Sequence, residues 1–237
     1  MEVVEYILTY ITPYIAVVVL VGGIAYQAYR WRQKSPVPAN LSLHPRPESR
    51  IGRLGDALLD MFTMKGLFKV NKLLWVGGFV MHLGLLLLIV GHIRVVTDFY
   101  FLWDWLSWGE AETDTFSAVA GTSAGALFAI PLLYLLFRRF AGKIKILSTP
   151  EDYFVLVLLI GIAITGTHMR LVLDVEQHPM RVFMQGLYKF SWQPVPESSG
   201  ISFVWHFALV QLLMIYFPFG KLMHTIGSVF NKMVMRS

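Results

Sequence analysis

Four of the seven histidines lie within strongly apolar stretches and are the side chains best placed to do chemistry. His82 and His92 lie ten residues apart in one stretch, and His206 and His224 lie eighteen residues apart in another. An imidazole in hydrocarbon is costly unless it has a partner, and binding a metal through a ring nitrogen provides one. This pattern predicts two pairs of metal-ligating histidines in an apolar environment.

Haem b is the group that this donor set favours. Two imidazoles without a carboxylate or thiol beside them leave a zinc or copper site short of ligands. A haem iron takes two imidazoles from opposite sides of a flat macrocycle, and small residues nearby give the porphyrin room. We assign that packing role to Gly84 and Gly91. The sequence has no cysteine, which excludes iron–sulfur ligation by thiolates and covalent c-type haem attachment.

The composition predicts an all-α, polytopic membrane protein with a single membrane domain over residues 1–237. The chain is 56% hydrophobic and has a mean hydropathy of +0.58, too apolar for a soluble domain of this length. Five apolar runs have about the 20 residues needed to cross a bilayer. The predicted spans are residues 6–29, 73–93, 116–137, 153–172 and 201–225.

The charges predict the orientation of this five-helix bundle. Sixteen of the 20 basic residues lie in the loop of residues 30–72, the loop after the third span and the C-terminal tail. The loop of residues 94–115 instead has one basic residue and five acids. By the positive-inside rule, the first group of segments is cytoplasmic. The N-terminus is therefore predicted outside and the C-terminus inside.

The connecting segments contain two predicted amphipathic helices. The cytoplasmic loop of residues 30–72 has apolar and charged positions at helical spacing from Arg53 to Lys69. This helix would lie on the membrane interface or against a partner, although a merely solvated basic loop is the alternative. The outer loop of residues 173–200 has a shorter amphipathic segment from Met180 to Phe190.

Orientation decides how the four histidines pair. The second span runs outward and the fifth inward, so His92 is level with His206 near the outer surface, and His82 and His224 both lie towards the inner side. Helical rise gives about 15 Å between His82 and His92, and about 27 Å between His206 and His224. Eighteen residues of continuous helix would return the last two to one face, while Pro218 offers a bend.

The histidine spacing resembles that of the di-haem cytochrome b of the respiratory nitrate reductase gamma-subunit family. The resemblance rests on His82-x9-His92 with Gly91 before the second histidine, and on His206-x17-His224 with Phe217-Pro218-Phe219 between them. In the fourth span, residues 148–153 and 165–170 look closer to one branch of this family. That branch is the membrane subunit of sulfite-reduction-associated and heterodisulfide-reductase-like menaquinol complexes.

The resemblance implies that His92 and His206 bind an outer haem b, and that His82 and His224 bind an inner one. It also implies a menaquinol site at the outer haem. Nitrate reductase relatives carry a lysine for that site in the loop after the second span. The corresponding residues here, 110–115, include acids and no lysine, which argues against a nitrate reductase proper.

Other polar residues at the span ends are candidates for supporting roles. His168 and Arg170 end the fourth span on the predicted outer side and are candidates for the quinone site. A snorkelling arginine and an ordinary helix-end histidine are the alternatives. Arg94 and Lys221 are candidates for pairing with haem propionates, or are ordinary positive residues at helix ends.

The predicted function is that of the membrane subunit of a menaquinol oxidoreductase complex, not a complete enzyme alone. Menaquinol would be oxidised near the outer haem, and electrons would pass through the inner haem to a cytoplasmic iron–sulfur subunit. Outer-face multihaem cytochrome c or iron–sulfur subunits and a second membrane subunit are further expected partners, but nucleic acid is not. The setting would be the cytoplasmic membrane, in anaerobic respiration and sulfur metabolism.

Three other functions compete with this one. The chain could reduce quinone or serve as a nitrate-reductase-type cytochrome b subunit. It could also be a haem-bearing anchor without a quinone site. A transporter or metal permease would use the histidines as relays, but the five predicted spans contain no Asp or Glu, which counts against it.

Overall fold

The computed structural model describes residues 3–33 and 49–227, which form helices and turns without a strand. The all-α prediction is therefore confirmed for these residues, while residues 34–48 of the predicted cytoplasmic loop and the end of the tail lie outside them. The long helices are α2 (Thr12–Gln33), α5 (Lys72–Ile93), α7 (Glu110–Phe140), α9 (Pro150–Leu171) and α11 (Gly200–Tyr216). A short helix α1 (Val3–Tyr6) and a π-helical turn (Ile7–Ile11) precede α2.

Short helices connect the long ones. The amphipathic segment predicted from Arg53 to Lys69 is two helices instead of one, because Met64 between them adopts a left-handed conformation with φ of 47°. The short helices are α3 (Arg50–Thr63), α4 (Lys65–Val70), α6 (Tyr100–Leu106), α8 (Gly142–Leu147) and α10 (Gln177–Tyr188). Single 3-10 turns occupy Glu197–Ser199 and Lys221–Met223.

Five helices in the described part of the chain are long and apolar enough to cross a membrane. They are Val3–Trp31, Lys72–Ile93, Glu110–Phe140, Pro150–Leu171 and Glu197–Tyr216. An α-helix satisfies its own backbone hydrogen bonds, which is what hydrocarbon demands of a spanning segment. The sequence and the fold therefore agree on five candidate spans.

Side chains define where two of these helices begin. The Asp152 carboxylate accepts hydrogen bonds from the Thr149 amide at 2.9 Å and the Thr149 hydroxyl at 3.1 Å, with Pro150 in the first turn. At the start of α7, the Glu112 carboxylate accepts the Gly109 amide at 3.0 Å. These bonds satisfy backbone groups that a helix start leaves without partners.

The chain divides into two compact units, of which the first comprises Met1–Tyr14 and Val80–Gln211. Its apolar core lies around α10, whose Phe183 is fully buried against Tyr10 and Phe203. The Tyr10 hydroxyl donates to the Gln193 carbonyl at 2.8 Å. The amphipathic helix α10 is thus packed against the first and last candidate spans instead of lying alone on a surface.

The helices α5 and α7 approach closely at Gly84. A Cβ at this position would lie 2.6 Å from the Phe128 amide nitrogen and 2.8 Å from the Leu127 carbonyl carbon. Glycine is required here because the backbone of α7 occupies the space of a side chain. This contact accounts for Gly84 through helix packing, and its role in haem packing stays a prediction.

The fifth candidate helix ends earlier than the apolar run of residues 201–225. Helix α11 stops at Tyr216, two residues before Pro218. Proline lacks an amide hydrogen and disfavours helical geometry in the residue before it, so a helix bends or ends near it. Here the helix ends instead of bending. The expectation that His206 and His224 share one face of a continuous helix is therefore wrong.

We expect Gly84→Ala to destabilise the folded protein more than Gly121→Ala does. Both changes gain the same helix propensity, but no other described atom lies within 4 Å of a Cβ at Gly121. Overpacking at Gly84 should cost about 1–3 kcal/mol. Thermal unfolding of the two purified variants measures the difference, and equal Tm values would contradict the close approach of α5 and α7.

Candidate functional site

His92 and His206 face each other across α5 and α11. Their ring centroids are 6.3 Å apart and their ring planes are parallel within 13°. His92 lies at the C-terminal end of α5, and His206 lies in the second turn of α11. The structure therefore brings together the two histidines that the sequence analysis assigned to one level.

The ring of His206 is oriented by helix α9. Its Nδ1 lies 3.1 Å from the Ile162 carbonyl oxygen and 3.1 Å from the Thr165 hydroxyl oxygen. The Thr165 hydroxyl has one hydrogen, which it donates to the Gly161 carbonyl at 2.8 Å. Both neighbours of Nδ1 are thus acceptors, so the His206 proton is on Nδ1 and the lone pair is on Nε2.

Two further candidate ligands share this arrangement. The Nδ1 of His92 lies 2.6 Å from the Leu88 carbonyl, and the Nδ1 of His224 lies 2.8 Å from the Lys221 carbonyl. A carbonyl only accepts hydrogen bonds, so each ring carries its proton on Nδ1. Metal-binding histidines commonly make this bond, because it fixes the ring and leaves Nε2 for the metal.

The His92–His206 pair fits a haem iron. An iron between two imidazoles is about 2 Å from each ligating nitrogen, which places the ring centres roughly 6 Å apart, close to the observed 6.3 Å. Among the described residues, no group of three or more His, Cys, Asp or Glu gathers where it could hold a metal ion. A haem iron needs only two protein ligands, so a histidine pair is the size of group required.

Gly166 and Thr165 belong to this site and were not singled out as site residues by sequence. A Cβ at Gly166 would lie 3.1 Å from Cε1 and 3.4 Å from Nδ1 of the His206 ring, so the glycine lets the ring approach α9. The signal available was the run Thr165-Gly166-Thr167 near the end of an apolar span. Small residues at such positions commonly mark close helix contacts.

The remaining ligand and packing candidates are placed less fully by the geometry. His82 is half-buried within α5, and His224 is exposed just after the 3-10 turn. No other described atom lies within 4 Å of a Cβ at Gly91. The pairing of His82 with His224 and the packing role of Gly91 stay predictions.

Arg94, a candidate for binding a propionate, is instead engaged within a buried ion cluster. Its Nε and Nη2 donate to the two carboxylate oxygens of Asp98 at 2.9 and 3.1 Å. Its Nη1 donates to the Ser117 hydroxyl, and the guanidinium lies 5.2 Å from the centre of the Trp103 ring. All three guanidinium nitrogens thus have protein partners, and the propionate role of Arg94 stays a prediction.

Arg181 of α10 completes the cluster and was not anticipated from the sequence. Its Nη2 donates to Asp98 at 2.5 Å, and its Nε donates to the Arg94 carbonyl at 2.8 Å. Burial alone would raise the pKa of Asp98, but hydrogen bonds from Arg94 and Trp103 outweigh it and hold the pKa well below its ordinary value. One carboxylate faces two guanidiniums, so the cluster keeps a net positive charge near the end of α5.

The quinone-site candidates lie one turn beyond the Thr165–His206 contact. The Ser202 hydroxyl is 2.9 Å from Nδ1 of His168, three residues after Thr165 on α9. Arg170 donates from Nη2 to the Asp114 carbonyl at 3.4 Å. Lys221, the other propionate candidate, is exposed and contributes the carbonyl that orients His224, and its propionate role stays a prediction.

The fold and the site define a class: a helical protein with candidate membrane spans and a pair of histidines, His92 and His206, set between two of them. The chain belongs to the nitrate reductase gamma subunit family, which matches residues 63–236. That range includes all four candidate haem ligands and both quinone-site candidates.

Two archaeal relatives are similar over nearly the whole chain. The chain is 30% identical over 254 residues to a protein of Archaeoglobus fulgidus named Hdr-like menaquinol oxidoreductase cytochrome b-like subunit, an alignment covering 93% of this chain and 76% of the relative. A protein of the same name from Archaeoglobus profundus is 23% identical over 259 residues, covering 94% and 76%. These names agree with the branch that the fourth span suggested.

We expect Asp98→Ala to destabilise the protein by roughly 3–5 kcal/mol, because it leaves two buried guanidiniums without their carboxylate. Asp104→Ala is the matched control, since Asp104 is exposed in the same loop region. Thermal unfolding in detergent measures both. Equal effects of the two changes would contradict the importance of the cluster.

The same cluster predicts how stability depends on pH. The folded-state pKa of Asp98 lies below its ordinary value, so its contribution is complete above about pH 4 and is lost as the pH falls further. The wild-type Tm should therefore fall between about pH 4 and pH 2 more steeply than that of Asp98→Ala. Parallel curves for the two proteins would count against this assignment.

Proposed function

We propose that this chain is the di-haem b membrane subunit of a menaquinol oxidoreductase complex. His92 and His206 would hold the outer haem, and His82 and His224 the inner haem. The haems would take electrons singly from menaquinol and pass them to a cytoplasmic iron–sulfur, heterodisulfide-reductase-like subunit. Family membership and the names of the two relatives support this assignment.

The observation that carries the proposal is the geometry of His92 and His206. The rings are parallel, their centres have a spacing suited to one iron, and each Nδ1 is held by a backbone carbonyl. His92 bonds to a carbonyl of its own helix and His206 to a carbonyl of α9. In both rings Nδ1 is the bonded nitrogen, which leaves Nε2 for a ligand.

His168 would receive a proton released by quinol. Oxidising a quinol releases two protons with its two electrons, and imidazole is the side chain whose charge changes closest to neutral pH. The Ser202 hydroxyl lies 2.9 Å from Nδ1 of the His168 ring. Nε2 would be the accepting nitrogen in the tautomer whose Nδ1 hydrogen is donated to that hydroxyl. The contact lies one turn from the Thr165–His206 contact, near the predicted outer haem.

Arg170 would supply the positive charge at the proposed quinone site. Nitrate reductase relatives carry a lysine in the loop after the second span, and residues 110–115 of this chain contain none. In the structure, the Arg170 guanidinium reaches this stretch and donates to the Asp114 carbonyl. An arginine from the fourth candidate span could therefore polarise a quinone oxygen where the loop lacks a lysine.

The orientation and the partners follow from charge and composition. The basic segments favour a cytoplasmic C-terminus, which would direct the inner haem towards a cytoplasmic subunit. Because the chain has no cysteine, the iron–sulfur groups that complete the complex would belong to other subunits. Affinity purification from gently solubilised membranes, with identification of iron–sulfur proteins that co-purify, would test this part.

Replacing either histidine of a pair should remove the same haem. His92→Ala and His206→Ala should each abolish the same b-type component in a potentiometric titration, while His82→Ala and His224→Ala abolish the other. His178→Ala is the control, since His178 is exposed at the start of α10. The pairing is wrong if His92→Ala and His206→Ala remove different components, and absence of any b-type band in the wild type ends the haem proposal.

Replacing His168 or Arg170 with Ala should slow haem reduction by a menaquinol analogue without changing reduction by dithionite. For His168 we expect a loss of about 10²-fold, in the range that general base catalysis provides. Stopped-flow absorbance on the purified complex gives the rate, and His178→Ala is again the control. A wild type that quinol cannot reduce would favour a haem-bearing anchor without a quinone site.

A further inference from the structure

The break at the end of α11 is packed against helix α2. A Cβ at Gly23 would lie 2.5 Å from Cβ and 2.7 Å from Cγ of Pro218, so the proline ring occupies the space of the missing side chain. Pro218 is fully buried, as is the Gly23 surface it covers. All of these residues belong to the second compact unit, Ile15–Phe79 with Leu212–Ser237.

Gln27 satisfies a backbone group that this break exposes. Its Nε2 donates to the Pro218 carbonyl oxygen at 3.0 Å. Gln27 follows Gly23 by four residues and so lies on the same face of α2. An unsatisfied carbonyl is costly in hydrocarbon, so the amide and the glycine together hold the turn in place.

The turn is followed directly by the residues that orient His224. Gly220 packs under the Tyr216 ring, and no Cβ would fit there. The 3-10 turn Lys221–Met223 begins immediately afterwards, and its Lys221 carbonyl accepts the Nδ1 hydrogen of His224 at 2.8 Å. Five residues thus separate the buried Pro218 from the candidate ligand.

We propose that Gly23 and Gln27 of the first candidate span are positioning residues for His224, and hence for the inner haem. They fix the Pro218 turn, which fixes the carbonyl that sets the ring of His224. This inference rests on the proposed function, because it assumes that His224 is a haem ligand.

The adjacent glycines of α2 provide a matched test. Gly22 is exposed, and no other described atom lies within 4 Å of a Cβ built on it, so Gly22→Ala should leave both haems unchanged. Gly23→Ala displaces Pro218 and should lower the amount of the inner b-type component or shift its midpoint potential. His224→Ala identifies that component, and the outer component is the internal reference.

Gln27→Met tests the same chain of contacts without adding bulk against Pro218. It removes the donor to the Pro218 carbonyl while keeping a side chain of similar length. We expect a shift in the midpoint potential or the low-temperature spectrum of the inner component alone. This variant decides the question if Gly23→Ala does not accumulate in membranes.

The outcomes separate this inference from the proposed function. A wild type without two b-type components removes the proposed function itself. If the wild type has both, unchanged inner components in Gly23→Ala and Gln27→Met overturn the positioning role. Equal loss of both components in protein that accumulates normally would also overturn it, since the effect would then be on general stability.

Discussion

The candidate site depends on one constraint: the nitrogen of each imidazole that does not bind metal, Nδ1, needs a hydrogen-bond partner. A histidine that presents Nε2 to a metal in an apolar interior must satisfy its Nδ1–H within the protein. The chain does so with main-chain carbonyls, of Leu88 for His92, of Ile162 for His206 and of Lys221 for His224. Main-chain acceptors do not titrate and are fixed by helix geometry, so ring orientation depends on where each helix begins, ends or breaks.

Residues beside these rings and residues farther away both help to position them. Gly166 admits the His206 ring against α9, and Gly84 admits α7 against α5. At the end of α5, the Arg94–Asp98–Arg181 cluster joins the residues after His92 to helix α10. Gly166 and Gly84 allow close approaches, and the ion cluster adds a buried charged contact. The helices that carry the histidines are therefore held by backbone approach and buried charge as much as by apolar packing.

The sequence predicted the helical class and the five candidate spans because run length and apolar character are local properties. It also marked His92 and His206 as one pair, since antiparallel spans place their outer ends together. It did not predict that Pro218 ends the fifth helix, because a proline in an apolar run permits either a bend or a stop. The observed stop is packed against Gly23 and Gln27, which lie almost 200 residues earlier in the chain.

The ion cluster and the role of Gly84 were beyond sequence reasoning for a related reason. Asp98 and Arg181 are 83 residues apart, and nothing near either residue indicates that they pair. A glycine in a membrane helix looks the same whether it adjoins a porphyrin or another backbone. Thr165 and Gly166 are different, because their small-residue run at a span end was visible and could have been included in the site.

The packing of Tyr10 against α10 has a consequence for biosynthesis. The hydrogen bond from Tyr10 to the Gln193 carbonyl joins residues 183 positions apart, and the apolar core around Phe183 needs Phe203 as well. At 5–20 residues per second, the ribosome needs about 10–40 s to synthesise the intervening chain. The first helix is therefore synthesised long before its partners exist, and the apolar core around Phe183 can close only when the last of the five candidate spans has been made.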